Sequence, residues 1–197
     1  MTLPAHHLHT LSAPTDDDLQ GLAELLCDCV DGGASVSFMA PCTLDQALAF
    51  WRGVADGVLR GERALLVARN AQGQIDGTVQ LVLAQPPNQP HRADLAKMLV
   101  HRRARRQGLA ERLLQAADAL ALQHGKTLLV LDTVTGGDAE RLYARLGWQR
   151  VGEVPGYALF PDGRPCGTTF FYKALAASVA RAGSTTGLSA GMAGSAA

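Results

Sequence analysis

No uninterrupted apolar run in the 197 residues approaches the ~18–20 that a membrane-spanning helix needs, which argues against a membrane span. The N-terminus, MTLPAHHLHTL, has neither a basic start nor an apolar h-region, so it does not read as a secretory signal. Neither charge sign is in excess: Lys plus Arg equals Asp plus Glu, 18 each, so nothing overall points to nucleic acid or an anionic membrane surface. Cysteine is sparse. Cys27 and Cys29 form one C-x-C pair, Cys42 and Cys166 are scattered, and neither a zinc spacing nor a disulfide framework results. A dinucleotide-binding Rossmann unit would need G-x-G-x-x-G after a first strand, and that is missing. The expectation is a cytoplasmic protein with reduced thiols and no metal, in which His6, His7 and His9 belong to a mobile N-terminus. One domain is the default at this length, assigned to 1–177. From Ser178 the chain turns to Gly, Ala and Ser without apolar periodicity, so 178–197 is expected to be a disordered tail.

The most informative stretch runs from Asp94 to Leu114, DLAKMLVHRRARRQGLAERLL. An apolar run from Leu95 to Val100, broken only by Lys97, reads as a strand. A basic turn from His101 to Arg106 follows, and helical periodicity begins near Leu109. The first N–H groups of a helix have no internal partner, and the helix dipole adds partial positive charge there. With Gly108 lacking a side chain, Ala110 adding only a methyl group, and Arg105 and Arg106 alongside, a pyrophosphate has a place to sit. The bland alternative is a solvated basic loop. A nucleic-acid reading of HRRARR is opposed by the zero net charge and the absence of other basic clusters.

The remaining chain supplies the frame. A strand is expected at His9–Ser12, then a helix capped by Thr15 or Asp16 and running to about Val30. Residues 34–41, ASVSFMAP, are irregular and expose Phe38 and Met39; Trp51, further on, reads as core. Thr43 and Gln46 have capping-box spacing for a second helix ending near Gly61. A hairpin pairs Ala64–Arg69 with Ile75–Gln85. The Pro86–Pro90 loop, whose three prolines remove three donors, is expected at the rim of any cleft. A helix over Leu109–Gln123 leads to a buried strand, Thr127–Leu131, parallel to the Asp94 strand by the βαβ rule. Asp138 caps a short helix from Ala139 to Leu146. Strands follow at Trp148–Gly152, Tyr157–Phe160 and Thr168–Leu175.

Two blocks carry a family resemblance. Arg105-x-x-Gly108-x-Ala110 resembles the Q/R-x-x-G-x-G/A signature of the GCN5-related N-acetyltransferases, the GNAT family. Ala139 to Trp148 reads A-x-x-L-Y-x-x-x-G-W, similar to the family's block in which a helix delivers a tyrosine to the cofactor thiol. The run beginning Leu131-Asp132-Thr133 and the pattern from Arg150 to Gly163 further resemble the tabtoxin-resistance acetyltransferases within that family. One departure is Gly136, where many members carry an Asn seven positions before the tyrosine.

The resemblance implies an α/β (α+β) GNAT fold: a mixed, twisted sheet of about six to seven strands, about four helices, and a fourth and fifth strand splayed apart. It implies acetyl-CoA as cosubstrate, held by Met98, Leu99, Val100, Arg105, Arg106, Gln107, Gly108, Leu109, Ala110, Asp138 and Tyr143. The implied activity is direct acetyl transfer, in a ternary complex, to the primary amine of a metabolite, toxin or antibiotic. Tyr143 would protonate the departing thiolate. Asp94 or Asp132, or a water, would take the amine's proton, and Phe38, Asp94, Asp132 and Tyr157 would meet the acceptor. A protein or peptide N-acetyltransferase and a non-catalytic acyl-CoA sensor stay open, as do monomer and homodimer.

Overall fold

The computed structural model describes residues 6–176; the tail expected over 178–197 lies outside them. In chain order the elements are β1 (His7–Leu11), α1 (Asp16–Asp31), α2 (Leu44–Leu59), β2 (Arg63–Arg69), β3 (Ile75–Val82), β4 (Arg92–Val100), α3 (Leu109–Gln123), β5 (Leu128–Val134), α4 (Asp138–Arg145), β6 (Gln149–Leu159) and β7 (Pro165–Ala174). A short 3-10 turn, Arg102–Ala104, joins β4 to α3. The strands form one seven-stranded mixed sheet in the order β1-β2-β3-β4-β5-β7-β6, the α/β arrangement expected.

Local chemistry sets the helix starts. Thr15 accepts from the Asp18 N–H at 3.2 Å while the Asp18 carboxylate accepts from the Thr15 N–H at 2.8 Å, so two orphan donors are satisfied reciprocally. Thr43 and Gln46 repeat the device on α2. Both helices then bury one stripe against one face of the sheet. Strand β2 shows the period of two that follows: Leu65 and Val67 face α1 and α2, while Ala64, Leu66 and Ala68 face α3. Trp51 is fully buried in the α1–α2 core, as expected. On the other face α3 sits unusually close to β3, because a Cβ at Gly77 would lie 2.8 Å from Leu113 Cδ1.

The sheet divides in its middle. Strands β4 and β5 are parallel neighbours only through Arg92↔Leu128, Ala93↔Leu129 and Asp94↔Val130. Beyond Asp94, β4 stays with β3 and β5 stays with β7. The edge of β4 from Leu95 to Val100 therefore has no strand partner on the β5 side. A register shift between Thr78 and Gln80 places a bulge in β4, where Lys97 holds φ at 49°.

Three expectations are corrected. His6 is not part of a mobile arm: its side chain is buried, with Nε2 2.9 Å from Asp76 Oδ2, and β1 starts at His7. Strand β6 is continuous from Gln149 to Leu159 rather than two strands, because Pro155 and a left-handed Gly156 interrupt the ladder without turning the chain. The Pro86–Pro90 loop is not a cleft rim. Lys126 Nζ donates to Leu83 O and Pro90 O, at 2.8 Å each, and fixes the loop at the closed end of the β4–β5 fork. Among the described residues no helix is long and apolar enough to cross a membrane.

Candidate active site

Where β4 and β5 part, the sheet opens into a cleft of about 1150 Å³. Its walls are Leu95–Val100 of β4, Asp132–Val134 of β5, the start of α3, residues of α4 from Asp138 to Arg145, and segment 32–39.

One end gathers uncapped helix amides and positive charge. Helix α3 has Gly108 as its N-cap, in the left-handed conformation (φ 75°) and with no side-chain cap, so the first N–H groups keep no side-chain acceptor. A Cβ at Gly108 would meet nothing within 4 Å, because that direction is open. Arg106 also holds a positive φ, 60°, and Arg105 Nε donates to Val100 O at 3.3 Å. Arg105, Arg106, Gly108, Leu109 and Ala110 all line this end.

The two preceding arginines are turned away. Arg102 Nε donates to Asp28 Oδ1 at 2.8 Å and Arg103 Nε to Asp76 Oδ1 at 2.6 Å. His101 stands between them, Nδ1 3.3 Å from Asp28 Oδ2, and its backbone N–H donates to Asp76 O at 2.9 Å. The HRRARR run is thus divided: its first half anchors the turn to α1 and β3, and its second half faces the cleft.

At the fork, Tyr143 is buried against Trp148 and Phe171, with ring centroids 5.7 and 6.1 Å away. Burial pushes its phenol well above the usual range, and the charge of Asp132 adds to this. Asp132 lies on the opposite sheet face from Leu129 and Leu131, which are in the α3-side core, and is exposed to the cleft.

Another wall of the cleft is formed by segment 34–41, which is irregular as expected. It is tied to the end of β6, where Ser35 Oγ donates to Leu159 O at 2.7 Å, and to the β6–β7 turn, where Ala40 N donates to Pro161 O at 3.0 Å. Phe38 packs edge-to-face on Phe50 at 5.4 Å, and the exposed Tyr157 packs on Phe170 at 5.5 Å; Phe38 and Tyr157 line the cleft.

The expected residues do not all converge. Asp94 is outside the cleft, at the last paired position of the fork, bound by Arg92 and by Gln85 Nε2. Its carboxylate is committed there, which removes it from the catalytic and substrate assignments. Gln107 does not line the cleft either; its Nε2 donates to Arg103 O at 3.1 Å. Asp138 is the first residue of α4 and not its cap, since Gly137 holds that position; the Asp138 carboxylate pairs with Arg141 at the cleft rim.

Lys97 was not among the expected site residues. Its Nζ donates to Ser37 Oγ at 3.1 Å and lies 5.5 Å from the Phe50 ring centroid. Burial lowers its pKa, with Asp132 acting the other way. The available signal was a lysine interrupting an otherwise apolar strand.

Residues 61–150 match the family model described as an acetyltransferase (GNAT) domain. Among solved structures, the N-acetyltransferase from Staphylococcus aureus Mu50 is 18% identical, with 87% of this chain and 99% of that chain covered at a TM-score of 0.72. The protein yncA from Salmonella typhimurium, solved with its cofactor acetyl-CoA, is 20% identical over 88% and 95% of the two chains, TM-score 0.70. The ribosomal-protein-alanine N-acetyltransferase from Brucella melitensis is 21% identical over 86% and 99%, TM-score 0.70. At these identities the likeness is one of fold.

Proposed function

We propose that this chain, whose residues 61–150 match a GNAT acetyltransferase domain model, is an acetyl-CoA-dependent acetyltransferase that acetylates the primary amine of a small molecule by direct attack. The observation that carries this reading is the fork: one cleft joins the uncapped start of α3 to Asp132 and Tyr143. Acetyl-CoA supplies the activated acetyl thioester. The free amides from Gly108 to Ala110, with Arg105 and Arg106, hold the pyrophosphate. The edge of β4 at Met98, Leu99 and Val100, which has no strand partner on the β5 side, aligns the pantetheine arm, and one N–H there meets the charge that builds on the carbonyl oxygen.

Asp132 takes the proton of the acceptor ammonium, directly or through water, since an alkyl ammonium with pKa near ~10.4 is no nucleophile. Tyr143 supplies the last proton. Burial keeps its phenol protonated at neutral pH, and a thiolate released beside the same apolar wall is made more basic by the same desolvation. Small acceptors are favoured over peptides because segment 34–41 is fastened across the acceptor side at Leu159 and Pro161. The resemblance of the sequence to tabtoxin-resistance acetyltransferases is the reason to include toxin-like amines among the acceptors tested.

The test is thiol release from acetyl-CoA with a panel of amines, amino acids, antibiotics and Ala-terminal peptides. Turnover confined to small amines supports the reading, and turnover confined to peptides moves it to a peptide acetyltransferase. Acetyl-CoA binding with no turnover makes the protein a sensor. Tyr143→Phe is expected to lose at least about 100-fold in kcat while binding acetyl-CoA by calorimetry as before; undiminished turnover removes Tyr143 from the mechanism.

A further inference from the structure

Lys97 and Asp132 stand on one side of the sheet, against the acceptor wall. Lys97 reaches Ser37 and the Phe50 ring of α2, so it points to the α1–α2 side. Asp132 is on that side too, because its neighbours Leu129 and Leu131 face the α3 core. The two charges sense each other, yet no carboxylate lies within ion-pair distance of the Lys97 ammonium among the described residues. Its partners are one hydroxyl and one ring face, and both leave a cation short of compensation.

A part-buried ammonium without a carboxylate is costly to hold, as is a lysine at φ 49°. The bulge that imposes this φ also displaces the side chain from the regular alternation of β4. The anion end of the cleft does not use Lys97, because α3's first amides and Arg105 and Arg106 serve it.

Resting on the transferase reading above, we infer that the Lys97 ammonium, steadied by Ser37, binds a carboxylate of the acceptor while Asp132 receives its amine, so the acceptor is an amino acid rather than a plain alkylamine. A zwitterion presents both charges to a cleft that offers both opposites. A decarboxylated amine would leave Lys97 unpaired, and a charge-assisted pair of this kind is worth about tenfold or more in affinity.

The experiment compares each standard amino acid with its decarboxylated amine, by thiol release from acetyl-CoA and by calorimetry on the CoA-loaded protein. At least one amino acid is expected to exceed its amine by about tenfold or more in kcat/KM, chiefly through KM. In Lys97→Met that preference falls to about one, and Lys97→Arg restores part of it. Plain amines used as well as amino acids overturn the inference and leave the transferase reading standing. So does an unaltered preference in Lys97→Met, or an equal loss on both members of a pair. No binding of any amino acid to the CoA-loaded wild-type protein overturns it without use of a variant, and absent acetyl-CoA binding overturns the transferase reading as well.

Discussion

At Gly108 a single residue joins the fold to the proposed coenzyme site. Its φ of 75° is one that side chains rarely tolerate, and the space where a Cβ would go is open to the cleft. Gly108→Val therefore has two separable effects. The left-handed conformation costs roughly 1–2 kcal/mol of stability, read as a lower Tm, and the branched side chain would stand in the pyrophosphate site proposed above. The expected kinetic result is a KM for acetyl-CoA raised tenfold or more, about 1.4 kcal/mol, with kcat much less affected. A normal KM would show that phosphates do not sit on α3. Gly108 was legible in the sequence because a glycine at a strand-turn-helix junction has a local reason. Asp94 was misassigned because its commitment to Arg92 and Gln85 depends on where β3 and β4 run.

The turn between β4 and α3 shows how an element is aimed. Asp28 and Asp76, from α1 and β3, hold His101, Arg102 and Arg103, so the loop enters α3 in one orientation. For Asp28, burial works upward, but the backbone and guanidinium hydrogen bonds from Arg102 prevail and lower its pKa. For Asp76, burial again works upward, and bonds from His6 and Arg103 prevail. Their stabilising contributions are complete above pH ~3.9 and fade as pH falls through the lowered folded values.

His101 acts earlier. Burial first, and then Arg103, lowers its pKa, so its contribution is complete above pH ~6.5 and is lost as pH falls toward the folded value. The Tm of the wild type is expected to drop between pH 7 and 5, and His101→Gln to flatten that slope in differential scanning calorimetry. An unchanged slope would assign the pH response elsewhere. Asp76→Asn is expected to cost about 2 kcal/mol at pH 7, measured by urea unfolding, and to raise KM for acetyl-CoA through the loosened turn.

For the whole molecule, the fork between β4 and β5 leaves a strand edge unpaired inside the sheet, a state that a ligand with its own hydrogen-bonding groups relieves. Acetyl-CoA at 100 times its Kd should stabilise the fold by about 2.7 kcal/mol. For a domain of this size that corresponds to roughly 5–10 °C in Tm, checked by thermal unfolding with and without it; a Tm that does not move would deny the cleft this ligand. The sequence by itself determined what is written in neighbours along the chain: the Thr43–Gln46 capping box, the cap near Thr15, the βαβ order, the glycine at the start of α3 and the tyrosine block of α4. Those depend on contacts within a few residues, or on periodicities one helix or strand long. Only the tertiary structure decided which charges are spent and which are free. Asp94, Arg102 and Arg103 are neutralised by partners, while Lys97 and Asp132 line the cleft without an ion-pair partner among the described residues. Such pairings join elements distant in sequence, and nothing local in the chain records them.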